Sequence, residues 1–157
     1  LGEHLDIDSR SVHAFIIGEH GDSEVAAWSI TNIAGMSMKS FFEHYGKCTD
    51  EDLQAMYSEV KNSAYEIIQK KGATYYAIAT AVARIVECIS GGENSVLTIS
   101  SVLNGEYGIE DISLSIPTQV SGYGVERILD VPFNEIELQG LRSSAKTLKD
   151  SLKSIGF

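Results

Sequence analysis

The order of apolar and polar positions divides the chain into a β-rich start, a long helical middle, a β meander and a closing helix. Residues 12–17 form a β-prone apolar run, and residues 24–29 offer a partner strand across a short charged loop. Residues 36–45 have a mixed pattern and read as an amphipathic turn or short helix. A clear helix start follows at Thr49, where a capping hydroxyl precedes Asp50, Glu51 and Asp52, all favourable beside the positive end of a helix dipole. Leu53, Met56, Tyr57, Val60, Ala64, Ile67 and Ile68 then recur at three- and four-residue spacing. The stripe continues through Tyr75, Ile78, Ala81, Val82, Ile85 and Ile89, one apolar face over about forty residues.

Gly72 interrupts that face at a cost of about 1 kcal/mol relative to alanine, which predicts two helices with a break near residues 72–74. Gly91 and Gly92 close the second. Three β-prone runs follow at 96–103, 112–120 and 125–131. Asn104–Gly105 and Gly122–Tyr123–Gly124 serve as turns, so an antiparallel meander is expected. Asn134 with Glu137 forms a cap pair, and Leu138, Leu141, Ala145, Leu148, Leu152 and Ile155 mark one face of the last helix. The pattern is that of a single α+β domain over residues 1–157, without internal repeats.

Composition narrows the class. The chain has 157 residues, 43% hydrophobic and 22% charged, as in ordinary globular proteins. With 22 acidic against 12 basic residues its net charge is −10, which argues against nucleic acid as a partner. No apolar run reaches the roughly 18 residues of a membrane span. Cys48 and Cys88 are too few for a disulfide framework and fit free thiols in a reducing cytoplasm. The chain opens at Leu1 rather than methionine, which reads as a cut from something longer.

The segment "VHAFIIGEHGDSEVAAW" carries the candidate chemistry. His20 follows an apolar strand, between glycines at 18 and 21 that permit a tight turn, and among carboxylates that favour a protonated imidazole. Such a group can give a proton to a carbonyl as it is reduced, and take it back from an alcohol. His20, Asp22 and Ser23 are too nearly consecutive for a serine triad. His20, Asp22 and Glu24 lack the histidine or cysteine partners of a metal site, so no metal is expected.

Strand alternation puts His13 on the face of Phe15 and Ile17, opposite Val12, Ala14 and Ile16. Thr74, beside the helix break, is a candidate contact for a substrate carboxylate or a simple cap for the second helix. Tyr75 and Tyr76 read as core and site wall. His4 and His44 have no distinguishing setting. No Gly-x-Gly-x-x-Gly follows a strand, so the chain shows no dinucleotide cradle of its own.

The stretch "IIGEHGDSEVAAWS" resembles the catalytic, substrate-binding half of the L-lactate dehydrogenases, in the lactate/malate dehydrogenase family, and the likeness runs over the whole chain. "KKGATYYAIATAVARIVECI" and "SVLTISSVLNGEYGIEDISLSIPTQVSGYGVERIL" extend it. The resemblance implies that His20 is the catalytic acid/base and that Thr74 contacts the substrate. It implies an NAD-dependent enzyme of glycolysis and fermentation that converts pyruvate to L-lactate, cytoplasmic and tetrameric. The nucleotide-binding domain and the residues that orient His20 and clamp the substrate would precede Leu1, so Asp22 is not the orienting partner. A fragment without them would be inactive.

The resemblance further implies an allosteric fructose 1,6-bisphosphate site at His13 and a phosphotyrosine at Tyr65. Tyr76 stands where many relatives carry tryptophan, which bears on substrate shape. Trp28 and Ile78 favour the lactate branch over malate dehydrogenases; a malate or other 2-hydroxyacid dehydrogenase of the same family is the alternative within the class. A binding or oligomerisation module without catalysis is the alternative from another class.

Overall fold

The computed structural model describes residues 1–46 and 48–157. Its largest sheet is the meander, with β6 (Ser95–Asn104), β7 (Glu110–Ser121) and β8 (Gly124–Ile128) antiparallel in the order β6-β7-β8. The third strand stops at Ile128, short of the expected 131. β7 lies between its neighbours and sends Ile112, Leu114 and Ile116 to one buried face, as period-two alternation requires. β8 pairs only with residues 118–121 of β7, so the backbone of Ser115 is left for another partner.

The closing helix α5 (Glu135–Ser154) packs on this sheet through Leu141 and Ala145, with Leu138 and Leu148 beside them. Burying a side chain such as Leu141 stabilises the fold by about 1.5–3 kcal/mol. The expected cap pair is a full capping box: Asn134 Oδ1 accepts from Glu137 N at 2.9 Å, and the Glu137 carboxylate accepts from Asn134 N at 3.0 Å. Glu137 is buried and also accepts from the Ser29 amide at 2.8 Å, tying the start of α5 to the N-terminal part. Leu152 and Ile155 are exposed.

Short strands make up the β-rich start. The predicted strand over 12–17 is split into β1 (Val12–His13) and β2 (Ile16–Ile17), which join different sheets. β2 pairs antiparallel with β3 (Val25–Ala26), so the expected partner is the real one. β1 pairs with β4 (Asn32–Ile33), which turns back as β5 (Met36–Ser37). The split defeats the expected alternation, since Ala14, Phe15 and Ile16 are consecutive yet all line one hollow facing Trp28 and Met56. Residues 36–45 resolve into β5 and the helix α2 (Met38–Tyr45). Leu5, Ile33, Met38, Phe41 and Leu53 form a second core cluster there, beside the four-residue helix α1 (Gly2–Leu5).

The helical middle divides where the glycine predicted. α3 (Asp50–Lys71) starts from the Thr49 cap and stops at Gly72, whose φ of 86° is a left-handed conformation that suits glycine. α4 (Tyr76–Ser90) follows. The apolar stripe, however, is not core. Among the described residues only Leu53 of α3 and Cys88 of α4 are buried, while Ile68, Ile78, Val82 and Val86 are exposed. Tyr75 and Tyr76, expected in the core, are exposed too, Tyr76 at 71%. Among the described residues, no other element lies over that face. Among the described residues, no helix is long and apolar enough to cross a membrane.

Candidate active site

The loop carrying His20 leaves β2 at Gly18 and re-enters the fold at β3. Its first anchor is the central strand: Gly18 and Ser115 exchange backbone hydrogen bonds at 2.9 and 2.8 Å, using the stretch of β7 that β8 leaves free. Gly18 has a φ of 95°, and a Cβ there would lie 2.8 Å from Ser144 Oγ. Glycine is required on both counts.

Ser144 is the second anchor. It is fully buried on α5, and its Oγ accepts from the Glu19 amide at 2.6 Å and lies 3.2 Å from Ser23 Oγ. The Glu19 carboxylate folds into the loop and accepts from the Ser23 amide at 3.3 Å and from the Ser23 hydroxyl. A Cβ at Gly21 would come 2.7 Å from Glu19 Oε1, so the loop closes on its own glutamate. α5 approaches closely because Gly140 faces Val25, where a Cβ would meet the valine at 2.8 Å.

The third anchor is α3. Tyr57 and Tyr65, eight residues apart and therefore on one face, reach the loop together. Tyr57 donates to the Glu24 carbonyl, and Tyr65 donates to the Asp22 carboxylate at 3.0 and 3.1 Å. That bond and the charge of Asp22 hold the Tyr65 phenol above its ordinary value.

His20 itself is exposed at the tip of this fastened loop, with no hydrogen bond or ion pair to its ring among the described residues. Asp22 and Glu19 are engaged by Tyr65 and Ser23, so neither orients the imidazole. Glu24 is different. Its Oε1 is buried without a hydrogen-bond partner among the described residues. Burial pushes its carboxyl above the ordinary value, His20 and Lys61 pull it partly back, and Asp22 and Glu19 push it up again.

A carboxyl raised in the folded state adds stability that is full below its ordinary value of about 4.5 and is lost as pH climbs through the raised value. Glu24→Gln should therefore raise the melting temperature at pH 7, with a gain that shrinks as pH falls toward 4.5. Melting curves across that range decide it, and a gain independent of pH contradicts the assignment.

Thr74 lies exposed in the break between α3 and α4. The cap of α4 is Tyr75, which makes no side-chain capping bond, so Thr74 is not the helix cap. Tyr65, docked on the His20 loop, stands six residues before the end of α3, about 9 Å of helix rise. Thr74 follows three residues beyond that end. No hydrogen bond among the described residues joins Thr74 to His20. His13 is exposed at the end of β1, opposite Asn32, in a different sheet from β2. The loop's anchors Ser144, Tyr57 and Tyr65 had only a faint sequence signal, the spacing of Tyr57, Lys61 and Tyr65.

The lactate/malate dehydrogenase, alpha/beta C-terminal domain family matches residues 1–156, and the chain belongs to it. It is 54% identical to the L-lactate dehydrogenase of Acetivibrio thermocellus, over 99% of this chain and 49% of that protein. L-lactate dehydrogenase 1 of Clostridium acetobutylicum is also 54% identical, over 99% and 50%. The crystal structure of a minor L-lactate dehydrogenase from Enterococcus mundtii in the ligands-bound form superposes with a TM-score of 0.93 at 43% identity, over 98% of this chain and 49% of that one. The chain thus spans about half the length of the relatives it matches.

Proposed function

We propose that the chain is the substrate-binding, catalytic half of an NAD-dependent L-lactate dehydrogenase acting on pyruvate and L-lactate, with His20 as proton donor and acceptor. The 54% identity to an L-lactate dehydrogenase across 99% of the chain carries this reading. Support comes from a histidine exposed on a loop whose backbone is fastened to β7, α5 and α3. Charge develops on the carbonyl oxygen during reduction, and an imidazolium at the loop tip gives it a proton. The neutral ring removes that proton in the reverse direction.

NAD, when bound, supplies and takes the hydride. The glycine turns of this chain do not form a dinucleotide cradle: Gly91 and Gly92 close α4, and a Cβ on Gly122 would sit 3.3 Å from the Gly92 backbone, so these glycines pack on each other. Dinucleotide binding is therefore assigned to the remainder of the protein, and the exposed face of α3 and α4 to contacts with that remainder and with neighbouring subunits of a tetramer.

Thr74 is read as a substrate contact. Thr74→Val in the full-length protein should raise KM or lower kcat/KM, because a substrate oxygen loses its donor, while the melting temperature hardly changes. Steady-state kinetics beside thermal melts test it; a change in melting alone would leave Thr74 with a structural role only.

His13 is read as an anion site for fructose 1,6-bisphosphate, since an exposed imidazole can donate a hydrogen bond to a phosphate oxygen. Activation by the bisphosphate should disappear in His13→Gln, and activation that persists unchanged ends the assignment. A phosphate on Tyr65 would replace its donated hydrogen bond by a dianion facing Asp22, which would loosen the loop from α3.

A further inference from the structure

Away from the His20 loop, three chemically matched side chains come together from two distant stretches of the chain. His4 on α1, Cys48 just before the Thr49 cap and Asp52 in the first turn of α3 bring an imidazole nitrogen, a sulfur and a carboxylate oxygen within 4.8 Å of one another. We propose that these residues form a zinc site that staples α1 to the start of α3. The proposal stands independently of the dehydrogenase reading.

The donor set selects the metal. Magnesium and calcium take oxygen ligands, whereas a thiolate, an imidazole and a carboxylate suit zinc. Bonds of about 2.0–2.3 Å in a tetrahedron set donors about 3.3–3.8 Å apart, so small side-chain rotations close the present spacing. His4 is exposed and makes no hydrogen bond among the described residues, which leaves its ring free to turn. Among the described residues, the Cys48 sulfur has only a long contact of 3.6 Å to the Thr49 carbonyl.

Asp52 is held in advance. Its Oδ2 accepts from the Thr49 amide and the Thr49 hydroxyl, both at 2.8 Å, and Oδ1 makes no hydrogen bond among the described residues. A carboxylate fixed through one oxygen and open at the other is how metal-binding carboxylates are commonly supported. The capping box explains the position of Asp52 alone. It gives no reason for an imidazole and a thiol to converge on the same group. Glu3 and Glu59 line the hollow that His4 and Asp52 share, and their charge draws a cation there. Water or one of these glutamates would complete the coordination.

A metal bond to His4 would tie α1 to α3, a helix of 22 residues.

The test uses the full-length protein, stripped of metal and titrated with cobalt(II) as a spectroscopic stand-in. Wild type and Cys88→Ser should show thiolate-to-cobalt charge-transfer absorption in the near ultraviolet, and Cys48→Ser should lose it. Cys88 is the proper control because it is buried on α4. Zinc competition against a chromophoric chelator should show one equivalent lost in Cys48→Ser. In His4→Gln and Asp52→Asn its affinity should fall by at least about tenfold, a drop that changes around a metal site commonly reach. Circular dichroism without metal checks that each variant is folded. An unchanged cobalt band, or equal zinc affinity and stoichiometry, in folded Cys48→Ser would overturn the proposal.

Discussion

His20→Asn in the full-length protein should lower the rate of pyruvate reduction by about 10²–10⁴-fold, the usual contribution of a positioned general acid. That corresponds to about 2.7–5.4 kcal/mol of transition-state stabilisation. Asparagine can still donate a hydrogen bond, but it cannot give up and regain a proton near neutral pH. The loop should keep its shape, because its fastenings are the Gly18–Ser115 pairing, the Glu19–Ser23–Ser144 network and the two tyrosines of α3. None of them uses the histidine ring. A folded His20→Asn enzyme within about threefold of the wild-type rate would remove His20 from the chemistry.

The second large effect concerns the 157 residues alone. Expressed by itself, the chain should show no pyruvate reduction above background and should self-associate. Hydride transfer needs a nicotinamide held against the substrate, and the glycine turns here pack on each other instead of cradling phosphates. Self-association follows from the exposed face of α3 and α4, where Tyr76, Ile78, Val82 and Val86 are each at least half exposed. A pyruvate assay and sedimentation test these two points, and NADH titration tests the reason for the first. Turnover above background, or saturable micromolar NADH binding, would mean that this half carries a nucleotide site after all.

Much of this architecture is legible in local chemistry. Thr49 with Asp52 and Asn134 with Glu137 announce their helices through capping boxes that the structure contains. Gly72 ends α3 because a left-handed residue is needed there. Turn chemistry explains one miss: β4 returns as β5 through Ala34 and Gly35, both at positive φ, and alanine is not a residue that advertises such a turn. Periodicity explains another. The stripe through α3 and α4 marks a face that wants to be covered, but it does not say by what, and none of the described residues covers it.

At the candidate site, the histidine and its glycines are visible in the sequence, while the structure's main additions are long-range. Ser144 lies 125 residues from Glu19, and Tyr65 lies 43 from Asp22. Only the folded chain brings these partners together. The acidic residues beside His20 suggest a relay when read along the sequence. In space, Glu19 and Asp22 serve the loop's backbone and its attachment to α3.

The most direct measurement is a crystal structure of the full-length protein with NADH and oxamate, an isostere of pyruvate that accepts no hydride. A ring nitrogen of His20 should lie within hydrogen-bond reach of the oxamate carbonyl oxygen, about 2.6–3.2 Å, and the Thr74 hydroxyl should contact the bound ligand. Oxamate bound beside the nicotinamide with another side chain on that oxygen, and His20 still facing solvent, would contradict the assignment.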